Sequence, residues 1–423
     1  MMWHPRHVIR STAGILVLCS VIAPNLAQAA EVPRDILSAN KPGVQMQVSR
    51  AVQTRAPYAL PSTSQQSLAK SARSAVVMDY ATGKVMFEKD AHEELPMASI
   101  TKVMTLLLIM EAMDDGKLKL SDRIKTSEYA ASMGGSQIFL EPGETMNAND
   151  MIKGIAVVSA NDASVAMAEH LYGSEEAFVT RMNERAKELG MDDTHFANCN
   201  GLPVANHYSS AHDIALMSRE LLKHEKITSY TSVYSDYLRK DTENPLWLVN
   251  TNKLVRFYDG ADGLKTGYTA EAKYCLTATA QREGFRVIAV VMGEPKSTTR
   301  NAEVSQLFNW SFSNYSSRTL YKQGQKITTI KVSRGIPEQL DVICGEPVGI
   351  LHERGKKIEY ETKFTLFRIT APVKAGQRVG TLQLYDDDDL LVEAPLLAAN
   401  RIHRAGFLHM VGRTVRDMVT WGK

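Results

Sequence analysis

The stretch that most restricts this chain is SITKVMTLLLIMEAM, residues 99–113. Its pattern predicts a helix from about Ala98 to Met113, and Val103, Met104, Leu106, Leu107, Leu108 and Ile109 leave that helix no solvent face. A helix apolar all round has to be enclosed, so the rest of the fold must form layers about it. Asp114-Asp115-Gly116 supplies its stop. At its start, after Pro96, Ser99 and Lys102 stand three positions apart and share one face. A hydroxyl beside an amine there is either a nucleophile with its base or a coincidence. The same spacing recurs at Ser67 and Lys70.

The flanking sequence supplies the layers. SAVVMDYATGKVMFEKD holds two β-type runs around Thr82-Gly83, a hairpin signal. NANDMIKGIAVV and DASVAMAEHLYG read as two helices joined through Ser159-Ala160-Asn161, with Asp162 expected as N-cap of the second. DGLKTGYT, KYCLTATA and FRVIAVVMG read as strands, the last two turning at Arg282-Glu283-Gly284. AEVSQLFNWSFSNY reads as a closing helix. The order predicts an α+β fold, an antiparallel sheet flanked by helices. From about 321 short alternating runs punctuated by Gly and Pro predict a small all-β domain, with Asp386 to Asp389 at a solvated hairpin tip rather than in a calcium site. The expected division is a leader at 1–29, a linker at 30–72, a catalytic domain at 73–320, the β domain at 321–398 and an amphipathic helix at 399–423.

The chain ends bear on location. Arg6 and Arg10, the apolar run from about Ala13 to Ala23, and Ala27-Gln28-Ala29 have the order of an export signal. Leu18 before Cys19 is bulky where a lipoprotein signal takes a small residue. In the tail, Phe407, Leu408, Val411, Val415, Met418 and Val419 share one side of a helix, and His409, Arg413, Arg416 and Thr420 the other. At about 17 residues with internal charges this segment is too short to span a bilayer, and it fits a helix lying in the membrane surface. The expected location is therefore periplasmic, on the outer face of the cytoplasmic membrane. Without the leader 47 basic residues face 47 acidic ones, so no nucleic-acid partner is indicated. Cys199, Cys275 and Cys344 then remain, allowing at most one disulfide.

Serine attack on an amide needs a base within reach, a proton donor for the leaving group, donors for the developing oxyanion and a grip on the substrate. Ser99 and Lys102 meet the first need, provided burial or a nearby cation lowers the lysine toward neutrality. Lys265 is the candidate second cation, and with Thr266 it can hold a carboxylate. Gly267 would let substrate approach the strand backbone. Ser159 can relay a proton, Asn161 can hold a substrate amide, and the N–H groups of Ser99 and Tyr268 are the candidate oxyanion donors. Each signal is weak alone; a second SAN occurs at Ser38-Ala39-Asn40. Ser38 and Ser67 fall in the expected linker, whereas Ser99, Ser159 and Lys265 fall on a buried helix start, an interhelix turn and a strand.

SITK, SAN and KTG match the three motifs shared by penicillin-binding proteins and serine β-lactamases. VVMDYATGKVMFEKDAHEELPMASITKVMT, DGLKTGYTAEAKYCL and THFANCNGLPVANHYSSAHD resemble the low-molecular-mass penicillin-binding proteins that are serine D-alanyl-D-alanine carboxypeptidases. The resemblance runs strongly over about 74–315. It implies that Ser99 attacks the carbonyl between the last two D-alanines of a peptidoglycan stem peptide, that β-lactam antibiotics acylate the same serine, and that Lys265, Thr266 and Arg300 receive the terminal carboxylate. For Arg300 a plain surface role is the competing reading. The chain departs from the pattern at Ala160, where Gly is frequent, at Tyr268, where His or Thr often stands, and at Asn200, where His often precedes Gly-Leu.

A class A β-lactamase would carry a glutamate as E-x-x-x-N between the second and third motifs, and no such string lies between Asn161 and Lys265. Two further readings use the same motifs: an endopeptidase for D-amino-acid cross-links, and a catalytically silent cell-wall scaffold. No metal and no cofactor is expected: H-E-x-x-H is absent, and His207, His212, His403 and His409 read as surface or packing residues.

Overall fold

A computed structural model describes residues 46–51 as backbone, and 67–356, 359–386 and 388–406. The expected export signal lies outside the described residues, as does the part of the expected 399–423 helix beyond Gly406; its described start, 399–406, is not helical, and His403–Arg404 pairs antiparallel with Gly335–Ile336 instead. Among the described residues no helix is long and apolar enough to cross a membrane.

Strand β1 (Met46–Ala51) comes first, followed by β2 (Ser74–Asp79) and β3 (Val85–Lys89). Helices α1 (Lys102–Asp114), α2 (Ala148–Val158), α3 (Asn161–Tyr172), α4 (Glu175–Glu188) and α5 (Ala211–Leu221) come next. Then β4 (Ala261–Thr269), β5 (Lys273–Arg282) and β6 (Phe285–Glu294) lead into α6 (Ser297–Asn314). The five catalytic-side strands form one antiparallel sheet in the order β3-β2-β6-β5-β4.

Strand alternation divides this sheet between two cores. Val76, Met78, Ile288, Val290 and Met292 face the layer that contains α1 and α5. Ala75, Val77, Val287, Ala289 and Val291 face Val304, Leu307 and Phe308 of α6. With both faces covered, β2 is buried along its whole length. The apolar helix is enclosed as required: Val103, Met104, Leu107 and Ile109 have no exposed surface. Its first turn differs from expectation. Ala98–Thr101 is a 3-10 turn, and α-geometry begins at Lys102.

Beyond α6 lie β7 (Tyr315–Tyr321), β8 (Lys326–Lys331), β9 (Gln339–Cys344), β10 (Val348–Glu353), β11 (Tyr360–Leu366), β12 (Arg378–Asp386) and β13 (Asp389–Ala398). Six strands make a sheet in the order β1-β11-β12-β13-β9-β8, and β7 pairs with β10. Leu340, Val342, Leu382, Ala394 and Leu396 form a separate core. Asp386 pairs with Asp389 at the β12–β13 hairpin end, as expected.

The stretch read as linker carries more structure than expected. Met46–Ala51 pairs antiparallel with β11. Leu68, Ala69 and Ala72 are buried, Glu303 accepts the Ser71 N–H at 2.8 Å, and Lys89 Nζ donates to the Ala69 carbonyl at 3.0 Å. These are contacts to distant residues, which local periodicity does not register. Cys199, Cys275 and Cys344 are all buried and unpaired, so none of them forms the disulfide that three thiols allowed.

Candidate active site

The 3-10 turn brings the first pair together. In that geometry residues i and i+3 eclipse, and Lys102 Nζ lies 3.1 Å from Ser99 Oγ. Two further acceptors complete its surroundings: Asn161 Oδ1 at 2.6 Å and the Asn200 carbonyl oxygen. Both are pure acceptors here, because the Asn161 amide nitrogen donates to the Gly134 carbonyl at 2.7 Å. A neutral amine has two protons and one lone pair. The two protons satisfy the two carbonyls, and the lone pair faces the Ser99 hydroxyl. Burial pushes the Lys102 pKa down to about 7, so the neutral form is well populated near neutral pH.

Asn161 also braces the site from within. Its side chain holds Lys102 on one side and the loop at Gly134 on the other. Gly135, at φ +80°, permits this, since a Cβ there would lie 2.8 Å from the Asn161 nitrogen. Asp162 is not the N-cap of α3; Ala160 occupies that position. The buried Asp162 carboxylate instead accepts the N–H groups of Ile138 and Leu140 at 3.1 Å each, as well as that of Ala163 at 2.8 Å. Those distant donors outcompete the local cap. Ala160 has φ −58°, an ordinary value that demands no glycine.

Ser159 closes α2 in the left-handed region at φ 67°. Its hydroxyl is buried and has no hydrogen-bond partner among the described residues. A buried hydroxyl without a partner costs about 1–3 kcal/mol, a cost that a bound group can remove.

β4 carries the third motif. Gly267 packs against the nucleophile's turn, and a Cβ there would lie 2.7 Å from the Met97 carbonyl and 3.2 Å from Ala98 Cβ. On its Cα side this glycine admits the protein's own turn. Lys265 is 1% exposed and donates to the Thr266 carbonyl at 2.9 Å, its one hydrogen bond among the described residues. Burial, then the charges of Lys102 and Arg300, hold its pKa well below the ordinary lysine value. Thr266 donates to Thr251 at 2.8 Å. Arg300 is buried in the first turn of α6, with Nε and Nη2 both donating to Asn301 Oδ1. The surface reading of Arg300 does not hold. Tyr268 is exposed and stacks on Tyr274, ring centroids 4.4 Å apart.

Sequence reasoning saw the stretch 194–213 as a family resemblance and gave the loop at 195–209 no part in the site. Besides the Asn200 carbonyl, it supplies Gly201, at φ +85°, where a Cβ would fall 2.1 Å from the Ala98 carbonyl oxygen. The Asn198 side chain accepts the Gly201 N–H at 2.7 Å and shapes the turn. A backbone carbonyl has no sequence signature, and the Asn-Gly pair in NCNGLP was the one visible clue. Among the described residues no cluster of His, Cys, Asp and Glu could hold a metal ion.

Known proteins are similar to this chain in sequence and in fold. The family model described as "D-alanyl-D-alanine carboxypeptidase" matches residues 61–296, and that described as "Penicillin-binding protein 5, C-terminal domain" matches 315–404. The D-alanyl-D-alanine carboxypeptidase DacF of Bacillus subtilis is 50% identical over 352 residues, 83% of this chain and 90% of that protein. DacC of Escherichia coli is 33% identical over 349 residues, 80% of this chain and 86% of its own. Among solved structures, penicillin binding protein 5 of Haemophilus influenzae superposes with a TM-score of 0.61 at 29% identity, covering 79% of this chain and 98% of that one. Penicillin-binding protein D2 of Listeria monocytogenes in its ampicillin-bound form gives 0.52 at 31% identity, covering 57% of this chain and 98% of that one.

Proposed function

The chain belongs to the D-alanyl-D-alanine carboxypeptidase family, and on that premise we propose that it hydrolyses the amide between the last two D-alanines of a peptidoglycan stem pentapeptide. The observation that carries the reading is the buried Lys102 amine, 3.1 Å from Ser99 Oγ with its lone pair free for that hydroxyl's proton.

Ser99 Oγ attacks the scissile carbonyl as Lys102 takes its proton. The N–H groups of Ser99 and Tyr268 stabilise the oxyanion, on two segments that Gly267 keeps in contact. The amide bond breaks, and the departing D-alanine nitrogen takes a proton from Lys102 through the Ser159 hydroxyl. Water then cleaves the ester and regenerates Ser99. Lys265, Thr266 and Arg300 receive the substrate's terminal carboxylate. Two buried cations with spare donors match that charge. The acyl-enzyme also accounts for inhibition by β-lactams, which would remain on Ser99.

The test is incubation with a peptide ending in D-Ala-D-Ala, followed by mass spectrometry. Free D-alanine from the wild type, and none from Ser99→Ala, supports the reading. Cleaved cross-links without free D-alanine would make it an endopeptidase. The enzyme acts outside the cytoplasmic membrane, docked by the amphipathic tail. Co-sedimentation with membranes after deletion of 405–423 would overturn that docking.

A further inference from the structure

One set of contacts lies behind the nucleophile and outside the cleft. The Ala197 N–H donates to His207 Nδ1 at 3.0 Å. That nitrogen must accept, so the ring proton belongs on Nε2. Nε2 lies 2.6 Å from Thr101 Oγ1, and Thr101 in turn donates to the Ala98 carbonyl at 2.8 Å. Direction is fixed along the whole relay: Ala197 N–H to His207, His207 Nε2–H to Thr101, Thr101 O–H to Ala98.

Its end point is the residue before the nucleophile. Ala98 has φ 49°, a left-handed value that is strained for alanine. Strain of this kind persists where surrounding contacts over-determine it, and three do so here. Gly201 presses on the Ala98 carbonyl, Gly267 on the Ala98 side chain, and Thr101 ties down the same carbonyl.

The surroundings keep His207 neutral. It is buried, with Phe196 edge-on at 6.1 Å between ring centroids. The titratable groups that bear on it are His195 and Lys102, both cationic when protonated. Burial first, then those two charges, push its pKa down to about 4. A protonated ring would turn Nδ1 into a donor facing the Ala197 N–H.

We propose that His207 is a positioning residue for the acylation step, setting through Thr101 the angle at which Ser99 Oγ meets the substrate carbonyl. This rests on the reading of Ser99 as nucleophile. A histidine that merely filled space would alter stability; one that sets the turn alters the acylation rate at constant affinity.

The test is rapid-mixing acylation of full-length protein by a labelled penicillin, separating the acylation rate constant from the initial dissociation constant. Misplacement near 1 Å costs about 10²-fold. His207→Asn keeps an acceptor for Ala197 and cannot reach Thr101; Thr101→Val removes the relay hydroxyl. Each should slow acylation by about 10–100-fold and leave the dissociation constant within about twofold. His207→Gln, whose amide nitrogen reaches as far as Nε2, should recover most of the rate. The double variant His207→Asn/Thr101→Val should be no slower than the slower single, because both break one relay. Additive losses, weakened affinity at unchanged rate, or His207→Gln as slow as His207→Asn would overturn the proposal. A wild type that penicillin never acylates would instead remove the reading of Ser99 and this inference with it.

Discussion

Residues before and after Tyr321 treat polar groups in opposite ways. Before it, Lys102, Asp162, Lys265 and Arg300 are all buried, and Ser159 keeps a hydroxyl with no partner among the described residues. Nine described non-glycine residues there have left-handed backbone, Ala98 and Ser159 among them. After it, among the described residues, the buried polar side chains are Thr362 and Thr381, and Arg334 alone among non-glycines is left-handed. Its ion pairs, such as Lys326 with Asp341 at 2.7 Å, stand in solvent and contribute little. The first region holds unfavourable local terms, and those at Ala98, Lys102 and Ser159 fall at the site. The second is a sheet that satisfies itself. Activity and stability should therefore come apart under substitution.

The largest expected separation is at Lys102. Lys102→Met should lower acylation by labelled penicillin by more than about 10³-fold, since nucleophile and base act as a unit. In the wild type, acylation should fall about tenfold per pH unit below 7, as Lys102 takes up a proton. Stability should move with pH as well. The folded pKa of about 7 lies below the ordinary 10.5. Between those values the unfolded chain holds a proton that the folded protein lacks, so this contribution is complete above 10.5 and is lost as pH falls toward 7. Denaturant titrations at pH 7.5 to 9.5 should show wild-type stability rising by about 1.4 kcal/mol per unit more steeply than Lys102→Met. Equal slopes would mean that the lysine is charged in the fold.

Gly201→Ala comes next. It should slow acylation by about 10²-fold, since the new methyl displaces the Ala98 carbonyl. It should also lower the melting temperature, joining both costs at one position. The smallest effect on chemistry is expected beyond Tyr321. Leu382→Ala empties part of a closed core and should cost about 2–5 kcal/mol in denaturant unfolding. Its acylation rate should stay within about twofold of wild type. A tenfold loss there would show that the two regions are coupled, and the contrast would fail.

The same contrast explains what could be read from sequence. The helix with no solvent face and the Ser99–Lys102 pair are local patterns, and both were legible. The strands bearing Lys265 announced themselves by β-type runs, and the antiparallel sheet followed from their order. Non-local backbone contacts left no trace. The Asn200 carbonyl, the pairing of Met46–Ala51 with β11, and the Ala197 N–H on His207 are set by the tertiary fold. Asp162 misled for that reason: a carboxylate beside a helix start suggests a cap, and two of its partners, Ile138 and Leu140, sit more than twenty residues upstream.

Two absent side chains define the seat of the nucleophile's turn. Gly201 and Gly267 close on Ala98 from different segments, with no spacer on either side. Variation there has no small steps, because a single methyl is already too thick. Adjusting such a site to another peptide has to happen where there is room, as at Tyr268, which stands open to solvent.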